Sequence, residues 1–260
     1  MKTAAIIQAR MNSSRLPNKV MMSVLGRPLL GWMLERVTAA RQVDAIVIAT
    51  TSNRCDDEIA EFSDFIGCKV FRGSEDDVLD RYYQAACMVT PDAVIRLTAD
   101  CPLIDPRVID TVVTAYSAGG FEFVSNTEPL PSSWPDGMDV SIFSFDALEK
   151  SWREARKPSE REHVTFHFWN NPHVYRCKRL EYAKNYGDYR LTVDYKEDFE
   201  LLEAIIRHFG ERDRSVISQV SMEQIISFLD ANPDISVINK KHVRGAGWLP
   251  ALERDKQQGL

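Results

Sequence analysis

Short apolar runs alternate with segments of helical periodicity along the first 120 residues of the chain. The short runs predict buried β-strands, and apolar residues that recur at i, i+3 and i+4 predict amphipathic helices between them. Repeated strand–helix units of this kind indicate an α/β fold with a mainly parallel sheet and helices on both faces. The strands are predicted at residues 3–8, 45–49, 69–71 and 93–97, and the helices at residues 29–37, 59–66, 78–89 and 108–116.

The second half of the chain is less regular than the first. Ser159 and Glu162 have the spacing of a capping box and predict the start of a helix that runs to about Trp169. Ser221 and Gln224 have the same spacing and predict the start of a later helix. Further strands are predicted at residues 138–143, 174–180 and 189–193 and a helix at residues 199–209, whereas the tail from residue 240 is weakly patterned.

The composition is that of a globular protein. With 260 residues, of which 44% are hydrophobic, the chain can bury a substantial core as one domain with a small lobe or insertion. The formal net charge of −6 argues against a general nucleic-acid binder. The first 34 residues nevertheless contain no acidic residue, and this local surplus of positive charge predicts an anion site. The cations of that stretch are Lys2, Arg10, Arg15, Lys19 and Arg27.

The five cysteines are scattered and form no Cys-x-x-Cys pair. Their odd number and their spacing favour reduced thiols over a disulfide framework or a zinc cluster. The N-terminal residues lack a signal-peptide pattern, since Arg10 follows only a short apolar run. No apolar run approaches the roughly 20 residues that span a bilayer. We therefore expect a cytoplasmic protein without membrane insertion.

Two similar pentapeptides each end in an aspartate. Residues 96–100 read Arg-Leu-Thr-Ala-Asp and residues 190–194 read Arg-Leu-Thr-Val-Asp, each at the end of a predicted strand. Ligands bind at the carboxyl edge of an open α/β sheet, so Asp100 and Asp194 are candidates for one site. Two carboxylates about 4 Å apart repel by roughly 4 kcal/mol at an effective dielectric near 20, and Mg²⁺ suits such a pair. The alternative is that both aspartates cap ordinary turns.

A basic loop without glycine follows the first predicted strand. Its sequence over residues 8–19 is Gln-Ala-Arg-Met-Asn-Ser-Ser-Arg-Leu-Pro-Asn-Lys, whereas phosphate loops at this place usually rely on glycines. Arg10, Arg15 and Lys19 are able to hold a triphosphate through side-chain charge. Ser13 and Ser14 add further donors. The alternative is that the three cations are simply solvated. The basic loop and the two aspartates together predict a magnesium–nucleotide site.

These motifs resemble those of sugar cytidylyltransferases over nearly the whole chain. The pattern Ala9-Arg10-x-x-Ser13-x-Arg15-Leu16-Pro17-x-Lys19, followed by Leu25-Gly26-Arg27-Pro28-Leu29, is closest in form to deoxy-manno-octulosonate cytidylyltransferase and is related to the acylneuraminate enzymes. Residues 73–82, 96–102, 161–165 and 247–249 resemble the spore-coat polysaccharide biosynthesis branch. The acylneuraminate enzymes usually have glycine and serine after the arginine, where this chain has Met11-Asn12-Ser13, so the resemblance does not fix the sugar.

The resemblance implies a Rossmann-like nucleotide-diphospho-sugar transferase fold in a single domain over residues 1–260. It also implies a small β-rich lobe within about residues 122–193 that often serves dimerisation, so a homodimer is expected. Matched position by position, Asp100 and Asp194 correspond to the magnesium aspartates. The positions that match the triphosphate loop are Ala9, Arg10, Ser13, Arg15 and Lys19, and Thr50, Gly73 and Ser74 fall where the base and ribose are usually bordered.

The reaction implied by the resemblance moves CMP from CTP to a sugar and releases pyrophosphate, for surface polysaccharide or glycan biosynthesis. The family default for the acceptor is an acidic keto-sugar. Arg10, Lys19 and Asp100 would carry the catalysis, with Mg²⁺ as the cofactor. One alternative is a glycosyltransferase of the GT-A type, which usually shows Asp-x-Asp where this chain has Thr98-Ala99-Asp100. The other is a non-catalytic nucleotide-binding protein, and the presence of both aspartates and the whole cationic loop argues against it.

Three further features have competing interpretations. His163 and His167 have the i, i+4 spacing of a zinc pair, but the sequence offers no clear third ligand, so a helix surface or a role in the substrate lobe is the better interpretation. Residues 134–139 either border the acceptor pocket or form a proline-rich turn. Arg96 and Arg190 are either anion ligands or partners of nearby acids.

Overall fold

The centre of the fold is a seven-stranded sheet. The computed structural model describes residues 1–257 of the chain. Their strands are β1 (Thr3–Gln8), β2 (Ser23–Val24), β3 (Arg27–Pro28), β4 (Ala45–Thr51), β5 (Lys69–Gly73), β6 (Ala93–Thr98), β7 (Phe123–Ser125), β8 (Ser141–Ser144) and β9 (Cys177–Arg179). The strands of the sheet lie in the order β5-β4-β1-β6-β8-β7-β9, while β2 and β3 form a separate two-stranded ribbon.

Four neighbouring strands of the sheet run parallel to one another. Strand β1 lies between β4 and β6, with Ile6 opposite Val47 on one side and Arg96 on the other. Strand β5 continues the parallel set beyond β4, and β8 runs antiparallel to β6. This mainly parallel sheet confirms the predicted fold class. Since parallel strands end at the same edge of a sheet, the segments that follow β1 and β6 meet there.

Helices cover both faces of the sheet. They are α1 (Leu29–Thr38), α2 (Asp57–Phe65), α3 (Val78–Cys87), α4 (Pro106–Ser117), α5 (Phe145–Glu154), α6 (Pro158–His163), α7 (Phe166–Asn170), α8 (Lys196–Gly210), α9 (Met222–Ala231), α10 (Pro233–Ser236) and α11 (Leu249–Gln257). Successive side chains of a strand point to opposite faces. Ala5 and Ile7 of β1 therefore pack in a core with α1, α4, α8 and α9, whereas Ala4 and Ile6 pack with α3, α5 and α7.

One of the two predicted capping boxes is confirmed. The Ser221 hydroxyl accepts from the Gln224 N–H at 3.0 Å, and the Gln224 side chain accepts from the Ser221 N–H at 2.8 Å. These reciprocal bonds satisfy donors that the first turn of a helix leaves free, and α9 begins there.

The capping box predicted at Ser159 is wrong. Helix α6 begins one residue earlier, and the backbone N–H and hydroxyl of Ser159 both donate to Asp255 in α11, at 2.9 and 2.5 Å. The helix ends at His163, because Val164 adopts a φ of 56° that does not continue an α-helix. The helix predicted to run to Trp169 is therefore two short helices, α6 and α7.

The strand predicted at residues 189–193 is also wrong. This segment makes one isolated bridge, to Asp136, instead of joining the sheet. Its backbone N–H groups donate to loop carbonyls: that of Leu191 to Asp136 at 2.6 Å and that of Val193 to Asp100 at 2.8 Å. No ladder forms because those donors are already satisfied. The same bonds nevertheless bring the end of the segment to the carboxyl edge of the sheet.

Residues 122–193, where the small lobe is predicted, add strands to the main sheet and contain α5, α6 and α7. The predicted strands at 138–143 and 174–180 correspond to the shorter strands β8 and β9. The use of this region in dimerisation remains a prediction. Within residues 1–257, none of the helices combines the length and the apolar character that crossing a membrane requires.

Candidate active site

A cleft of about 620 Å³ opens at the carboxyl edge of the parallel strands. Its walls come from the loops after β1 and β6, from residues around 127–139 and 190–195, and from the C-terminal segment that starts at residue 243. Many of the residues predicted from the sequence line this cleft, although they come from three distant parts of the chain. They are Ala9, Arg10, Ser13, Arg15, Lys19, Asp100 and Asp194.

The loop after β1 keeps its shape through hydrogen bonds to one buried residue. The carbonyl of Met11 accepts from the N–H of Ser13 at 2.9 Å and from that of Asn18 at 2.8 Å. The N–H of Met11 donates to Asp56 Oδ1 at 2.7 Å. Asn18 has a φ of 60°, a left-handed conformation that asparagine tolerates, and the chain then enters a short 3₁₀ turn at Lys19. A buried main-chain anchor thus takes the place of the glycines in ordinary phosphate loops.

The two predicted aspartates share one ammonium group. Lys19 Nζ lies 3.2 Å from Asp100 Oδ2 and 2.8 Å from Asp194 Oδ1, and it also donates to the carbonyl of Val193 at 2.8 Å. Arg15 adds a second cation at Asp194 Oδ1, with an N–O distance of 2.5 Å. The sequence predicts that the loop cations hold phosphate and that the aspartates hold a metal ion, as two groups of one site. The structure instead interleaves them, and Lys19 contacts the carboxylates directly.

The charges of this cluster stabilise one another. Burial opposes ionisation of Asp100, but the Lys19 ammonium beside it outweighs that effect and lowers the pKa of Asp100 to about 2. Burial likewise opposes the charge of Lys19, and Asp100 and Asp194 together raise its pKa above the ordinary value. Asp100 and Lys19 are therefore both charged near neutral pH.

The buried side chain of Arg190 holds Asp194 in position. Its guanidinium is buried and contacts three carboxylates: Asp198 at 2.8 and 2.9 Å, Asp136 at 2.6 Å and Asp194 Oδ2 at 3.1 Å. Asp198 also accepts from the backbone N–H of Asp194 at 2.9 Å and from that of Tyr195 at 3.0 Å, at the start of α8. Of the two interpretations of Arg190, the structure supports a partner of nearby acids.

Three predicted nucleotide-binding residues do not line the cleft. Thr50 is buried within β4. The Gly73 carbonyl accepts from the backbone N–H of Ser52 at 2.9 Å, and the Ser74 hydroxyl accepts from the N–H of Asp77 at 3.2 Å, just before α3. The first bond joins the end of β5 to the residue after β4, and the second orders the turn before α3. The assignment of Thr50, Gly73 and Ser74 to the base and ribose remains a prediction.

Sequence reasoning missed the contribution of the C-terminal tail. Arg244, Trp248 and Arg254 line the cleft, and Arg244 Nη1 donates to the carbonyl of Trp134 at 2.7 Å. An added Cβ at Gly247 would lie 3.1 Å from Arg15 Nη1, so a glycine allows the tail to approach the loop after β1 closely. The tail has too little periodicity to predict this role, although residues 247–249 resemble the spore-coat polysaccharide biosynthesis branch.

The histidine pair does not form a zinc site. His163 and His167 lie on separate short helices, and His167 Nδ1 is 3.2 Å from Glu160. His163 lines the cleft, where burial and the nearby Arg96 lower its pKa to about 3. No group of three or more His, Cys, Asp or Glu side chains within residues 1–257 is placed to hold a metal ion.

The segment at residues 134–139 does border the cleft. Asp136 and Asp139 both line it, and Arg244 makes ion pairs with both carboxylates. Gly137, between them, has a φ of 98°, and an added Cβ there would lie 2.5 Å from the backbone of Leu191. The turn therefore requires glycine, and it holds two carboxylates at the end of the cleft away from β5.

Comparison with known proteins identifies the family. Residues 4–226 match the family described as Cytidylyltransferase. The chain is 39% identical over 242 residues to an uncharacterized protein of Methanocaldococcus jannaschii, covering 92% of this chain and 95% of that protein. It is 35% identical over 238 residues to the spore coat polysaccharide biosynthesis protein SpsF of Bacillus subtilis, covering 88% of this chain and 94% of that protein.

A solved structure agrees with these sequence matches. The structure of a cytidylyltransferase from Leptospira borgpetersenii superposes with a TM-score of 0.83 and 35% sequence identity. The superposition covers 91% of this chain and 97% of the Leptospira chain. The chain therefore belongs to the cytidylyltransferase family and is an enzyme of that family.

Proposed function

We propose that this cytidylyltransferase transfers CMP from CTP to a hydroxyl group of a sugar, in a magnesium-dependent reaction that releases pyrophosphate. The observation that carries the proposal is the cluster in which Asp100 and Asp194 meet Arg15 and Lys19 within one cleft. The match to the cytidylyltransferase family argues against the glycosyltransferase and non-catalytic alternatives. An acidic keto-sugar is the acceptor that the resemblance implies, and the polysaccharide name of the Bacillus relative is consistent with a sugar product.

Asp100 and Asp194 fit a magnesium ion that arrives with a triphosphate. Magnesium prefers hard oxygen ligands and commonly takes one or two carboxylates, completing its octahedron with phosphate oxygens and water. Within residues 1–257 no third acidic side chain is placed to join this pair, and two carboxylates are compatible with magnesium. When bound, the ion neutralises phosphate charge and lowers the pKa of the attacking hydroxyl group.

The cationic residues of the cleft suit the leaving group. In the proposed reaction an acceptor oxygen bonds to the α-phosphorus while the bond from that phosphorus to the pyrophosphate oxygen breaks. Arg10 and Arg15 would bind the negative charge that grows on the departing pyrophosphate, since forked guanidinium donors match phosphate oxygens. Lys19 would hold the aspartates and the phosphates together. Catalysis of this type consists mainly of positioning and charge stabilisation.

We further propose that the enzyme is a homodimer and that it acts in the cytoplasm, where CTP is available. The dimer follows from the resemblance, which assigns this role to the segment at 122–193. Light scattering coupled to size-exclusion chromatography would report twice the chain mass of 29.6 kDa. A mass equal to that of one chain would contradict the dimer without affecting the proposed reaction.

The reaction can be tested by measuring pyrophosphate release with each of the four nucleoside triphosphates in the presence of Mg²⁺. The acceptors to be offered are 3-deoxy-manno-octulosonate, its 8-amino analogue and N-acetylneuraminate. We expect release that depends on CTP and on an acceptor, and that stops when EDTA removes the metal. Release of a nucleoside diphosphate from a nucleotide sugar, or no CTP-dependent pyrophosphate with any acceptor, would contradict the proposal.

The Lys19→Met variant is expected to lower kcat/KM for CTP by about two orders of magnitude. The substitution keeps the length of the side chain but removes the ammonium that joins the two carboxylates, and loss of one preorganised charged donor typically costs about 10²–10³ in rate. Steady-state pyrophosphate release measures the effect. Lys184→Met, at an exposed lysine outside the cleft, is the matched control. Equal activities of the two variants would remove Lys19 from the catalytic site.

A further inference from the structure

Five residues that line the cleft carry a buried polar atom without a hydrogen-bond partner within residues 1–257: Gln8, Arg81, Arg96, Glu128 and His163. Arg96 Nε, Glu128 Oε2 and His163 Nε2 are the three of these that do not belong to β1 or α3. The three side chains come from β6, from the loop after β7 and from the end of α6. Buried polar groups are nearly always paired, because leaving one unpaired is costly. Such a concentration within a cleft indicates that a polar ligand supplies the missing partners.

Arg96 and Glu128 are close to each other without being bonded. Arg96 Nη1 lies 3.9 Å from Glu128 Oε1, which is longer than a hydrogen bond. Only 11% of the Arg96 side chain and 6% of the Glu128 side chain are exposed, so water has little access to either group. The pair offers donors on one side and acceptors on the other, while its formal charges cancel.

Hydroxyl groups match this arrangement better than anions do. A hydroxyl both accepts and donates a hydrogen bond, so it can accept from the guanidinium and donate to the carboxylate. A carboxylate or phosphate group only accepts, and against Arg96 it would also lie close to the negative charge of Glu128. Neighbouring hydroxyl groups on a sugar can satisfy Arg96 and Glu128 together.

The position of the pair assigns it to the acceptor end of the cleft. Arg96 precedes Asp100 by four residues on β6, and Glu128 follows β7. Strands β8 and β7 lie on the far side of β6 from β1, β4 and β5 in the sheet. The residues predicted to border the base and ribose, Thr50, Gly73 and Ser74, belong to the β4 and β5 side. On that prediction for the base and ribose, a ligand against Arg96 and Glu128 lies on the opposite side of Asp100 from the base.

We propose that Arg96 and Glu128 form a subsite that recognises neighbouring hydroxyl groups of the acceptor sugar. The inference rests on the proposed function, and it specifies the substrate class as a polyhydroxylated sugar recognised through a charge-balanced donor–acceptor pair. His163 Nε2 provides a further contact beside this pair. Any carboxylate of the acceptor would then be bound elsewhere than at Arg96.

The Glu128→Gln variant tests the proposal, because a hydroxyl ligand and a carboxylate ligand would change KM for the acceptor in opposite directions. The acceptor probes are 3-deoxy-manno-octulosonate and N-acetylneuraminate, with CTP saturating. If a hydroxyl donates to the Glu128 carboxylate, loss of the charge weakens that bond, and we expect KM for the acceptor to rise about tenfold while KM for CTP changes less than twofold. If a carboxylate lies against Arg96, removal of the negative charge lowers the acceptor KM. A lowered or unchanged acceptor KM would overturn the proposal, and Glu61→Gln, at an exposed glutamate, is the control.

A second variant tests the pair without any acceptor. In Arg96→Met/Glu128→Leu, apolar side chains replace a charge pair that lacks a hydrogen bond, and such replacements are often neutral or stabilising. We expect an unchanged or higher melting temperature and an unchanged rise in that temperature on addition of CTP. A fall of several degrees would show that the pair is structural and would overturn the proposal. Failure of the proposed function would appear separately, as wild-type protein that releases no pyrophosphate from CTP.

Discussion

Asp100→Asn is expected to lower the rate of CTP-dependent pyrophosphate release by about a thousandfold or more, without unfolding the protein. The substitution preserves the shape of the side chain but removes the charge that Lys19 and the proposed magnesium ion require. The fold should persist because the structural role of this residue belongs to its main chain. The Asp100 carbonyl accepts from the N–H of Val193 at 2.8 Å and from the hydroxyl of Thr192 at 3.0 Å.

Turnover of the Asp100→Asn variant should be measured beside thermal unfolding and circular dichroism. Asp64→Asn, an exposed position at the end of α2, controls for the chemical change from aspartate to asparagine. We expect the control to match the wild-type enzyme in both measurements. Turnover of Asp100→Asn within tenfold of the wild type would mean that this carboxylate is not a catalytic group.

Arg190→Leu is expected to cause the largest loss of stability among single substitutions at the site. The change leaves Asp136, Asp194 and Asp198 without the guanidinium that they share. Breaking a buried ion pair by removing one partner typically costs about 3–5 kcal/mol, because the remaining charge stays buried. For a domain of this size, that loss corresponds to a fall in melting temperature on the order of 10 °C. Differential scanning calorimetry measures the shift.

The Arg190→Lys variant distinguishes the contribution of the positive charge of Arg190 to stability from that of its forked guanidinium. Lysine restores a positive charge but not the fork that contacts three carboxylates at once, so we expect a smaller loss of stability than in Arg190→Leu. Arg207→Leu, where an exposed arginine pairs with Glu203 on α8, should change the free energy of unfolding by no more than about 1 kcal/mol. Similar melting temperatures for Arg190→Leu and Arg207→Leu would contradict the structural role of Arg190.

The parallel strands and the helices between them could be predicted because their sequence patterns are local. Strands β1 and β6 are short apolar runs whose buried side chains lie on both faces of the sheet, and the helices between strands have an apolar face of their own. Each such pattern is formed by residues that are close together in the sequence. The position of Asp100 at a sheet edge followed from the same local reasoning.

Asp194 lies at the carboxyl edge of the sheet, as predicted, but the reason given for that prediction is wrong. Its segment was predicted as a strand, whereas hydrogen bonds to the carbonyls of Asp136 and Asp100 replace the ladder of a sheet. Those partners lie far away in sequence, so no periodicity within residues 189–193 reveals them. The same limit explains why Glu128 and the C-terminal tail were missed. Each enters the cleft through contacts with distant residues, and neither has a hydrophobic periodicity of its own.

The main-chain contact between Asp100 and Val193 has a consequence for engineering. Because the carbonyl of Asp100 accepts from the N–H of Val193, the residue before Asp194, the main chain sets the backbone spacing of the two acidic residues, while Lys19 and Arg190 hold their carboxylates. A designer who reshapes the acceptor end of the cleft can exchange the side chains of its walls while the two carboxylates keep their spacing. The residues that carry out the reaction and the residues that select the acceptor can therefore be changed independently in this fold.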